Sequence, residues 1–214
     1  MTRTLLAVLV LAVAGVVAWT FLNRGAPPPA DTATGTATPP AEGAADMPDY
    51  GLTIAVDGEA QGQITIDLRE DLAPRHVEQI VALAREGAYD GVVFHRVIDG
   101  FMAQTGDVAF GRTDADLARA GTGGSDRPNI PAEFSDVAFT RGMVGMARSS
   151  DPDSANSQFF IMFADAPHLN GQYTIVGEVT SGMEVVDAIK RGTGGNGEIS
   201  GAPDVMTSVT VTEN

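Results

Sequence analysis

A chain of 214 residues has room for one domain with a sizeable core and for appended segments. Its 28 acidic against 13 basic residues give a net charge of −15, which argues against a nucleic-acid partner, because phosphate binding rests on Lys and Arg. Cysteine is absent, so a disulfide framework, a thiolate zinc site and a lipidated N-terminal cysteine are excluded.

Residues 4–22, TLLAVLVLAVAGVVAWTFL, carry no charge, and about 20 such residues span a bilayer as a helix. Arg3 precedes them and Arg24 follows, so the flanking charges do not set an orientation. Residues 1–24 are therefore expected to form a transmembrane signal-anchor. A cleaved signal peptide is the alternative, although its apolar core would be shorter and the candidate site at Arg24-Gly25-Ala26 runs straight into Pro27. The N-terminal, signal-like placement implies a domain in the periplasm held at the inner membrane, or a soluble periplasmic one if the segment is cut. Residues 25–49 are rich in Pro, Ala and Thr and offer almost nothing to bury, which predicts a disordered, partly stiffened tether. The folded domain is expected over 50–214.

Leu52–Val56 and Gln63–Leu68 alternate apolar and polar residues around Asp57-Gly58, as two half-buried strands joined by a turn do. Pro74 opens a helix with Val77, Ile80, Val81 and Ala84 at helical spacing, stopped at Gly87; His76 falls beside that stripe and reads as a surface histidine. Residues 108–135 read as long loops. Met143–Ala147, Phe159–Phe163, Tyr173–Val179 and Val205–Val211 read as strands, and Met183–Lys190 as a second helix. Many short strands with turn signals suggest a closed antiparallel barrel, since closure removes exposed edges. Gly192-x-Gly194-x-x-Gly197 satisfies a dinucleotide-binding pattern but follows a helix instead of a strand. Asp151–Asn156 begins like a calcium loop and lacks its later oxygen ligands, and the three histidines have no metal-ligand spacing.

The stretch Phe94-His95-Arg96-Val97-Ile98-Asp99-Gly100-Phe101-Met102-Ala103-Gln104-Thr105-Gly106-Asp107 places a cation, two apolar side chains and an amide between Arg96 and Gln104. Such a set suits a concave site, mostly apolar with a few placed polar groups. The run resembles the signature of the cyclophilins, β-barrel peptidyl-prolyl cis-trans isomerases. The likeness continues through Gly121-Thr122-Gly123-Gly124 and Asn156-Ser157-Gln158-Phe159-Phe160-Ile161, covering residues 52 to 212 or so.

That resemblance implies a mainly β fold, a closed eight-stranded antiparallel barrel capped by two α-helices, working as a monomer on proline-containing polypeptides without a cofactor. It implies Arg96 as catalytic donor and Phe101, Met102, Phe160 and Leu169 as a proline pocket. Gln104 and Gln158 would position the substrate backbone, with main-chain groups at Ala147, Arg148 and Gly121. His95, on the opposite side of the strand from Arg96, is assigned a structural role. The chain departs from many eukaryotic members at His168, where they carry Trp, at Tyr173, where they carry a pocket His, and at Arg148, which replaces Asn. Tyr173 still offers a ring and a hydroxyl, so activity is expected to survive, whereas cyclosporin affinity is expected to fall for want of the indole donor. A module that binds proline peptides without turnover is the rival reading.

Overall fold

Alternation in the first two strands translates directly into burial. In β1 (Tyr50–Asp57) Leu52, Ile54 and Val56 face inward, and in β2 (Gly62–Leu68) Ile64, Ile66 and Leu68 do the same, with Ile54 opposite Ile64 in the antiparallel register. The computed structural model describes residues 49–193 and 195–213. The expected anchor and the tether up to residue 48 lie outside the described residues, and no helix among those described is long and apolar enough to cross a membrane.

Helix α1 (Pro74–Arg85) begins with proline at its first turn, where the missing N–H costs nothing. Seven further strands follow: β3 (Val92–Val93), β4 (Arg96–Ile98), β5 (Met102–Thr105), β6 (Met143–Met146), β7 (Phe159–Met162), β8 (Ile175–Ser181) and β9 (Val205–Glu213). Helix α2 (Met183–Ala188) lies between the last two. It ends before the expected Lys190 because Ile189 leaves helical backbone while staying buried. The segment 108–135 is loop apart from a short 3-10 turn at Leu117–Arg119 and two bridges, Arg112 to Val92 and Ile130 to Ala155.

The sheet has nine strands in the order β3-β9-β1-β2-β8-β6-β7-β5-β4, with every neighbouring pair antiparallel. Its two edges, β3 and β4, are separated in the chain only by Phe94 and His95. The sheet therefore curls until its edges nearly meet, but it does not form the expected closed eight-stranded barrel. The reason lies in what occupies each edge. Val97 donates its N–H to Gly197 O at 2.7 Å and its carbonyl accepts from Gly192 N at 2.9 Å, so Gly192 and Gly197 cover β4. Val93 N likewise bonds Gly111 O, and β3 spans only two residues. Gly192 and Gly197, two of the glycines that mimic a dinucleotide pattern, thus serve to cover a strand edge.

Two apolar layers result from the period-two alternation. Ala103 and Ile161 point into the main core with both helices, while Met102, Phe160 and Met162 point to the other face and form a smaller cluster with Phe139, Met143, Ala166, Leu169 and Ile175. The site is built on that second face.

His76 is not a surface residue. It is fully buried, and Glu133 reaches the start of α1 to accept from Arg75 N (3.3 Å), His76 N (3.1 Å) and His76 Nδ1 (2.6 Å). This carboxylate supplies the N-terminal cap that Ala73 lacks. Nε2 of the same ring is buried without a partner. Burial holds His76 below the usual histidine pKa and outweighs the attraction of Glu133; burial pushes His95 the same way. In the unfolded chain both would titrate near 6.5, so the unfolded state binds more protons below that pH and stability falls as pH drops from about 7 towards the depressed native values. A thermal-midpoint series from pH 8 to 5 should show this loss, and the His76→Gln variant, which lacks the titrating ring, should show a shallower slope.

Candidate functional site

Register brings the site together. Arg96 on β4 lies opposite Gln104 on β5, which lies opposite Phe160 on β7, which lies opposite Gly145 on β6. Four strands therefore contribute one residue each to a single row across the outer face.

Hydrogen bonds run along that row. Arg96 Nη1 donates to Gln104 Oε1 at 3.1 Å, Gln104 Nε2 donates to Gln158 Oε1 at 2.9 Å, and Gln158 Nε2 donates to the carbonyls of Gly121 (3.1 Å) and Gly123 (2.7 Å). Nε of Arg96 donates to Asn196 O at 3.0 Å. The glycine loop is itself held by Asp107, a fully buried carboxylate that accepts from the N–H groups of Gly121 (2.7 Å), Gly123 (2.9 Å), Phe110 (2.9 Å) and Ala109 (3.1 Å). Gly121 has φ +91°, and a Cβ there would stand 3.0 Å from the His95 ring. His95 thus backs the loop that receives Gln158, with both ring nitrogens buried and unpartnered.

Below this polar row lies a cavity of about 160 Å³ lined by Arg96, Phe101, Met102, Gln104, Ala147, Arg148, Phe160, Leu169 and Tyr173. Met102, Phe160 and Leu169 are only 2 %, 5 % and 7 % exposed, so the cavity floor is also the roof of the second apolar cluster. Partial burial pulls the Arg96 guanidinium below its ordinary pKa, opposed by the nearby Tyr173; a guanidinium nonetheless keeps its charge at neutral pH. A wider polar groove of about 530 Å³ adjoins the cavity and shares Gln104, Ala147 and Arg148 with it, while Gly121 and Gln158 line its far side.

All eleven residues named from the sequence fall on these two connected depressions. His168 packs against Phe101 with ring centres 5.5 Å apart and stays exposed. Two contributors escape a reading of the sequence. Phe139 stacks on Phe160 at 5.9 Å, and Phe160 meets Tyr173 edge-on at 5.8 Å. Gly145 admits both phenylalanine rings, since a Cβ there would lie 2.5 Å from Phe160 Cζ and 2.7 Å from Phe139 Cε1. A glycine inside an apolar strand is the signal that would have pointed to it.

An apolar cavity bordered by a fixed cation and by aligned amides, on the outside of a curled antiparallel sheet, defines a cleft for an extended peptide carrying one compact apolar residue. The chain belongs to the cyclophilins: residues 52–211 match the family described as cyclophilin type peptidyl-prolyl cis-trans isomerase/CLD. A Brucella suis protein named "Probable peptidyl-prolyl cis-trans isomerase" is 60% identical over 152 residues, 70% of this chain and 78% of that protein. A peptidyl-prolyl cis-trans isomerase of Helicobacter pylori strain J99 is 40% identical over 135 residues, 62% and 77% of the two chains. Among solved structures, a Cryptosporidium parvum cyclophilin crystallised in the presence of the dipeptide Ala-Pro superposes with a TM-score of 0.64 at 25% identity, over 77% of this chain and 99% of that one.

Replacing Gly145 by alanine should force Phe160 and Phe139 apart. The expected cost is about 1–3 kcal/mol of stability, the usual range for an overpacked core. Urea denaturation of the Gly145→Ala variant checks it, and weaker binding of a proline peptide should accompany the loss.

Proposed function

We propose that this domain accelerates rotation about X-Pro bonds with Arg96 as the catalytic donor. The barrier to that rotation is about 18–20 kcal/mol, because conjugation gives the C–N bond partial double-bond character. Twisting the bond breaks the conjugation and returns a lone pair to the prolyl nitrogen. A donor that meets this lone pair only in the twisted state lowers the barrier without tightening the ground state.

The observation that carries the reading is the position of Arg96 beside the small apolar cavity, with one N–H anchored on Gln104 and another on Asn196. A proline ring seated on Phe101, Met102, Phe160 and Leu169 leaves the preceding carbonyl free to swing, while Gln104, Gln158 and the main chain at Ala147 hold the flanking backbone. The reaction is a rotation, so no covalent intermediate, cofactor or proton transfer has a part in it. The protein acts as a monomer on proline-containing segments of exported polypeptides, tethered to the inner membrane by residues 4–22. The support for that setting is the uncharged length of the segment and the Pro-rich stretch that follows.

Two measurements test these statements. In an NMR exchange assay on an X-Pro peptide, Arg96→Ala should lose on the order of 10²–10³ in kcat/KM, as expected for one transition-state donor. Equal rates for the variant and the wild type would remove Arg96 from the catalytic role, and tight peptide binding without acceleration would select a holding module. N-terminal sequencing of protein recovered from membranes should find residues 1–24 intact; a start near residue 27 would mean a cleaved signal.

A further inference from the structure

Most arginines of the described domain are neutralised locally. Arg69, Arg85, Arg112, Arg127, Arg141 and Arg191 each sit on a carboxylate. Arg148 is held differently. Nε and Nη2 donate to the carbonyl of Gln172 at 3.3 and 2.9 Å, and Nη1 donates to the carbonyl of Ser149 at 2.9 Å. Its guanidinium lies 4.4 Å from the centre of the Tyr173 ring. These partners are neutral, so they fix the group in place and leave its charge uncompensated.

A guanidinium has five N–H donors, and the three bonds above leave one N–H free on each terminal nitrogen. Each can donate to a carboxylate, and a guanidinium's N–H groups can act as a fork that grips one through two hydrogen bonds. The fork stands at the boundary between the small cavity and the polar groove, both of which Arg148 lines. Any peptide whose proline enters the cavity must lead its chain past that boundary. The setting adds contrast: a chain of net charge −15 repels acidic peptides in general, and here it presents an uncompensated cation at its binding cleft.

We infer that Arg148 is a specificity-determining residue that favours substrates carrying Asp or Glu within a few residues of the isomerised proline. The inference rests on the isomerase reading and adds a substrate class to it. It separates the two arginines of the cleft: Arg96 serves the rotating bond, and Arg148 reads the sequence beside it.

The test is a peptide series with Glu, Gln or Lys placed at each of three positions on either side of one X-Pro bond, measured on the full-length protein. At one flank, kcat/KM for Glu should exceed that for Lys on the order of three- to tenfold, the scale of a partly exposed charge contact set against a like-charge penalty. The ratio should shrink towards one at about 0.5 M salt, where the screening length is only a few ångströms. Arg148→Gln should abolish the preference and Arg148→Glu should reverse it, with thermal midpoints confirming that both variants fold. Arg148→Lys keeps the charge and loses the fork, so it should retain part of the ratio. Turnover of every peptide at a Glu-to-Lys ratio of one would overturn the inference and leave the isomerase reading standing. Turnover of none would defeat the isomerase reading, and affinities across the same series would then decide the charge preference by the same ratios.

Discussion

The directionality of one hydrogen-bond chain orders the whole cleft. The carbonyls of Gly121 and Gly123 can only accept, so the amide of Gln158 must turn its NH₂ towards them and its oxygen towards Gln104. Gln104 must then offer NH₂ to Gln158 and oxygen to Arg96. Each amide has one orientation that satisfies both neighbours, and the guanidinium at the end inherits that certainty. The chain originates in a buried carboxylate: without Asp107 gathering the loop N–H groups, the two glycine carbonyls would have no fixed place.

Packing does for the apolar half what the amides do for the polar half. The cavity floor is not a set of loose surface side chains but the exposed side of a second small core, so its shape is kept by the same close contacts that stabilise the sheet. Gly145 and Phe139 never touch the cavity in the way Phe160 does, yet they determine how deep its ring sits. From solvent inward the order is Arg148, Tyr173, Phe160, Phe139, a stack that passes from charge to core in four side chains.

Much of this was legible because the residues that meet are close in the chain or share a contiguous pattern. Arg96, Phe101, Met102 and Gln104 occupy two short strands and their turn, so the motif and the geometry coincide. Phe160 and Gln158 follow from the second motif. What was not legible depends on distant pairing. His76 lies one helical turn before Ile80 and two before Leu83, on the buried side, but its burial also needs Glu133 to arrive from a loop 57 residues away. The opening of the barrel could not be read from strand counts, because it depends on Gly192 and Gly197 bonding to β4 where β3 would otherwise pair. Phe139 sits in a stretch without periodicity and is placed by Asn170, whose side chain accepts from its N–H at 2.8 Å.

The longest ladder in the sheet joins its first strand to its last, with Leu52 opposite Val211 and Tyr50 opposite Glu213. Strand β9 also carries β3, the segment that leads directly into Arg96. During synthesis, therefore, neither the β1 ladder nor the pairing of β3 can be completed until β9 has been made. Contacts so far apart in sequence make for slow closure. A catalyst of rotation in other chains thus begins life as a slow-closing chain itself, held open until β9 pairs.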